Sequence, residues 1–99
     1  MYDEEKGGDL HEYDPIGWAL AVLSNGRRIA VARSSREVAS ADKYKELIKR
    51  FDRCIKEIEA YKAAGHNKLD DTVYKILREA FEGVDHRFDE GAHSPRLIV

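Results

Sequence analysis

Three groups of residues have types and spacings that could support chemistry. His86, Glu90 and His93 stand four and three residues apart in "DHRFDEGAH". On a continuous helix they would share one face, a pattern that can ligate a metal. Gly91 interrupts that helix and Cys54 is isolated in the sequence, so solvated polar residues at a helix end are the simpler reading. His66, Asp70 and Asp71 fall together in "GHNKLDD" and have the types of an acid–base pair. Asp70, however, stands where a helix needs an N-cap, and a histidine beside a glycine stop suits the negative end of the preceding helix. The chain has no glycine-rich phosphate loop, nucleophile elbow or paired-cysteine motif. The expectation is a protein that is not an enzyme and carries neither metal nor cofactor.

The charged side chains point to binding instead. Arg27, Arg28, Arg33 and Arg36 cluster within ten positions and have the chemistry to grip carboxylates or phosphates. Residues 1–14 hold six acids, Asp3, Glu4 and Glu5 among them, against Lys6 alone. Such an acidic, aperiodic start reads as a flexible tail able to meet a basic partner surface.

The arginines are carried by "IGWALAVLSNGRRIAVAR", in which two apolar, alternating runs flank Asn25-Gly26. That dipeptide is the strongest short-range signal for a two-residue hairpin turn. With the turn there, Val22 opposes Ile29, Leu20 opposes Val31 and Trp18 opposes Arg33, making one heavy face. The other face is Gly17, Ala19, Ala21, Ala30 and Ala32, with Leu23 and Arg28 adding bulk. Open strand edges and a face of small side chains would let another backbone pair closely.

Beyond the hairpin, Ser34 and Glu37 form a capping-box pattern that starts a helix near Ser35. Val38, Ala41, Tyr44, Leu47, Ile48, Phe51, Ile55, Ile58 and Tyr61 follow at spacings of three and four, and Gly65 stops the run. Ser40 is a candidate break within it. A second helix starts at Asp70 and keeps its periodicity through Phe88, with Gly91 as the stop and Gly83 as the alternative end. The short link between the helices folds them antiparallel, and the heavy face of the hairpin covers their apolar side. The expected fold is α+β, an N-terminal β-hairpin on a long antiparallel helical hairpin (ββαα), with Phe51 and Trp18 as core anchors. Residues 15–91 form its single domain, and 92–99 a C-terminal tail whose end could add an edge strand.

Length and charge set the outer limits. Ninety-nine residues make one domain, and a net charge of −2 argues against a bulk electrostatic grip on nucleic acid. No apolar run is long enough to cross a bilayer, and the single cysteine with no leader pattern suits the cytoplasm. The leading expectation is therefore a small cytosolic protein-binding module: an adaptor, inhibitor or regulator with the size and charge of phage- or plasmid-encoded regulators. Its surface would be the hairpin edge and tip at Asn25, Gly26, Arg27, Arg28, Arg33 and Arg36, supported by the acidic tail. Its partner would be another protein, and the overlong helix with open strand edges predicts a homodimer. The alternative is a nucleic-acid-binding regulator that uses the same arginines.

Overall fold

A computed structural model describes residues 14–93. Among these residues the fold is helical throughout: α1 (Pro15–Arg36), a 3-10 turn (Val38–Ser40), α2 (Ala41–Ala63), α3 (Asp71–Ala80) and α4 (His86–Ala92). The β-hairpin, and with it the α+β class, is thereby corrected. Asn25-Gly26 lies in the middle of a continuous helix of 22 residues.

The local reasons for α1 are legible once the helix is seen. Asp14 caps its start, its carboxylate accepting from the Gly17 amide at 3.0 Å, and Pro15 occupies the first turn, where a missing N–H costs nothing. Ile16, Ala19, Leu23, Gly26 and Ala30 are buried and follow one another at three and four, as one helical seam. The alanines that made a bare strand face are strong helix formers, and Ala19 and Ala30 lie in this seam. Helix α2 answers with Tyr44, Leu47, Phe51, Cys54 and Ile58 at the same spacing, all buried.

The two long helices run antiparallel. Lys62 near the end of α2 reaches Asp14 at the start of α1, and Arg27 meets Asp52 at 2.6 Å midway. The helices approach closely at Gly26, where a Cβ would come within 2.6 Å of the Phe51 ring. The tip of the expected hairpin is thus a packing site. Asn25 is buried too, and its side-chain amide donates to the Ala92 carbonyl at 3.4 Å, tying α1 to the end of α4.

The long helix expected from Ser35 to Ala64 is divided near Ser40. Ser34, read as a cap, sits inside α1 with its hydroxyl donating to the Val31 carbonyl at 2.8 Å. Glu37 accepts instead from the Tyr44 hydroxyl at 3.2 Å. The second expected helix is likewise divided. Helix α3 ends at Ala80, Gly83 turns the chain at φ +82°, and Asp85 starts α4 by accepting from the Phe88 amide at 2.8 Å. A positive φ suits glycine, which has no Cβ to clash.

Helix α3 returns along α2. Its N-cap, Asp70, accepts from the Tyr61 hydroxyl near the end of α2, while Arg50 donates to the Glu79 and Glu82 carbonyls at 3.2 and 3.0 Å. Helix α4 lies on α1, and Phe88 stacks near-parallel to Phe51 at 6.0 Å between centroids. Phe81 meets Phe51 edge-on at 5.1 Å. The core centres on Phe51.

Candidate functional site

The arrangement of α3 and α4 leaves a groove of about 520 Å³ beside the start of α1. Tyr74, Leu77, Arg78 and Phe81 come from one side of α3, Val84 and Asp85 from the link, His86, Asp89 and His93 from α4, and Trp18 from α1. Tyr74 is an exposed large apolar side chain, and Trp18 and Phe81 are partly buried. The His93 ring sits between the two, 5.1 Å from Phe81 and 6.0 Å from Trp18. His93 is oriented by Asp89, whose carboxylate lies 3.3 Å from its Nδ1. The groove thus has an aromatic floor and a charged rim, the usual make-up of a recognition site.

Asp85 anchors the rim. It pairs with Arg33, at 2.6 Å and 3.4 Å to the two guanidinium nitrogens. The Arg33 bond, with the Phe88 amide second, holds the Asp85 carboxyl below its ordinary value, and the same pair raises Arg33 above its own. The guanidinium also lies 5.1 Å from the centroid of the Phe88 ring, a cation–π contact.

The other residues singled out by sequence fall elsewhere. Arg27 is engaged with Asp52 and Arg33 with Asp85; Arg28 and Arg36 are exposed on α1. The four arginines therefore form no common tip. Asn25 and Gly26 are buried, and Asp3, Glu4 and Glu5 lie outside the described residues. Residue 92 closes α4, whereas the expected edge strand at 96–99 lies outside the described residues.

His86 pairs with Glu90 at 3.1 Å and His93 with Asp89, so the two imidazoles serve separate partners. His66 stacks on Tyr61 at 3.8 Å, and Tyr61 in turn bonds Asp70, so this loop is clamped around the tyrosine. The Tyr61 bond, ahead of the Val73 amide, lowers the Asp70 carboxyl. Cys54, Glu57 and Glu79 bring potential ligand atoms within 4.8 Å of one another. Burial pushes the Cys54 thiol up, and the Glu57 carboxylate adds to the shift.

The groove escaped sequence reasoning because its walls come from positions as far apart as Trp18 and His93. One signal was present: Tyr74 and Phe81, two helical turns apart, flank the core stripe of Val73, Leu77 and Ala80.

No family model, curated protein or solved structure matches the chain.

Proposed function

We propose that this protein is a small helical protein-binding module, non-enzymatic and cytoplasmic, that takes a peptide segment of a partner protein into the groove between α3, α4 and Trp18. The observation that carries the reading is the aromatic floor of Trp18, Tyr74 and Phe81, with Tyr74 45% exposed although most large apolar side chains are covered. Aromatic anchors in a partly desolvated groove are where binding energy concentrates at protein interfaces.

The rim specifies the occupant. Arg78 lines the α3 side and Asp85 and Asp89 the α4 side. The complementary segment carries one apolar anchor, with an acidic group toward Arg78 and a basic group toward Asp89. A buried free thiol at Cys54 suits a reducing compartment. No described helix is long and apolar enough to cross a membrane. A dimer held through strand edges loses its basis with the strands, and self-association becomes one outcome of the test.

The test selects short peptides on the immobilised protein and titrates them against Trp18, the single tryptophan and therefore an intrinsic fluorescent reporter in the groove. Enriched peptides should share an apolar residue between charges, shift Trp18 emission and lose affinity for Tyr74→Ala. Peptides that bind Tyr74→Ala and Trp18→Ala as well as the parent chain would refute the reading. So would a concentration-dependent dimer that covers Trp18.

A further inference from the structure

A second cavity, of about 140 Å³, lies on the other side of the α3–α4 link. Arg33 enters it from the last turn of α1, Lys43 from the first turn of α2 and Arg50 from its third, and Gly83 and Asp85 from the link, over a floor of Leu47 and Phe88. Three cations face one carboxylate there, leaving an excess of two positive charges in a chain whose net charge is −2. Lys43 makes no ion pair among the described residues. Its ammonium sits 5.9 Å from the Tyr44 ring centroid and acts electrostatically on Asp85.

We infer that this cavity is a binding site for a phosphate group. The charge excess matches a phosphate near neutral pH, which carries about −1.5 to −2 when attached to a side chain. A guanidinium offers five N–H donors. The two bonds from Arg50 to the Glu79 and Glu82 carbonyls hold its fork in place and leave further N–H groups available. Arg33 is held by the two oxygens of Asp85, each bonded to one of its terminal nitrogens, and by the Phe88 ring. Such preorganised forks match the oxygens of phosphate better than a point charge alone. Gly83 contributes no side chain to the lining, and a Cβ there would meet no atom within 4 Å. The volume corresponds to that of roughly five water molecules in the liquid, enough for one phosphate group.

The source is either free phosphate or a phosphorylated side chain on a partner, and the two are separable. The experiment titrates the full chain with inorganic phosphate at constant ionic strength, following backbone amide resonances, with chloride as the control. Saturable shifts at Lys43, Tyr44, Gly83 and Val84 are expected. Lys43→Gln, at an exposed position, should weaken the interaction about tenfold or more without loss of helicity. Arg50→Lys, which keeps the charge and removes the fork, should weaken it as well. A phosphoserine peptide that binds more tightly than inorganic phosphate would assign the group to a partner protein, and equal affinity would assign the free anion. Shifts that fail to saturate, that chloride reproduces, or that Lys43→Gln leaves unchanged would overturn the inference. Lys43 and Arg50 do not line the peptide groove, so this result stands or falls separately from the proposed function.

Discussion

Gly26 and Phe51 are complementary surfaces: the absent Cβ of one is the space filled by the ring of the other, which a methyl would approach to 2.6 Å. Alanine at position 26 would gain roughly 1 kcal/mol of helix propensity and meet an overpacking penalty of about 1–3 kcal/mol. The contact is ring carbon on a side chain with no exposure, packed against Phe81 and Phe88, so it has little room to yield. Gly26→Ala is expected to lower stability in urea denaturation. Combining it with Phe51→Leu should recover part of the loss. An increase in stability for Gly26→Ala alone would place the α1–α2 contact elsewhere.

Phe51 and Trp18, both expected as core anchors, should now behave differently. Phe51 is fully buried, and Phe51→Ala should cost about 3–5 kcal/mol, the range for deleting a large aromatic side chain from a core. Trp18 is only partly buried at the groove. Trp18→Ala should cost less than Phe51→Ala while removing peptide binding. Equal losses of melting temperature would contradict this division of roles.

The buried Asn25 side chain holds the end of α4 through the Ala92 carbonyl. Asn25→Asp keeps the shape and replaces the amide donor with an acceptor facing another acceptor. Leaving the carbonyl unpaired costs about 1–3 kcal/mol. The effect should concentrate in α4, where amide hydrogen exchange should accelerate more than in α2. Uniform protection across both helices would show that the bond contributes nothing.

Asp85 gives the fold an acid-sensitive joint. Its carboxyl is held low by Arg33 and by the Phe88 amide, so the ionised form is favoured in the folded state. The stability this contributes is present above the unfolded carboxylate value of about 3.9 and is lost as pH falls through the lower folded value. Arg33 stays charged throughout and adds no pH dependence in this range. Asp85→Asn preserves a capping side chain and removes the charge. The gap in urea midpoint between parent and variant should be widest near neutral pH and narrow steadily below about pH 4. A gap independent of pH would show that the ion pair does not stabilise the fold.

Several elements are legible in the sequence alone. The stripe from Tyr44 to Tyr61 specifies α2 because only one backbone period places all of those side chains on one face. Asp70 as cap and Gly65 as stop follow from local hydrogen-bonding and steric needs that do not depend on the rest of the chain, and Gly65 indeed has φ +102°. The placement of Phe51 at the centre of the core follows from its position in the same stripe.

Helix α1 was not decided locally. Its small and large residues alternate, so they satisfy a strand period as well as a helical one, and Asn25-Gly26 adds a strong local preference for a turn. What outweighs that preference lies far away in the sequence: the Phe51 ring needs the space at Gly26, and the Ala92 carbonyl takes the Asn25 amide 67 residues on. The same holds for the two cavities. Trp18 meets His93, and Arg33 meets Asp85, only after the helices fold back on one another. Sequence spacing carries the period of one element at a time, whereas these contacts are set by the packing of one helix into the surface of another.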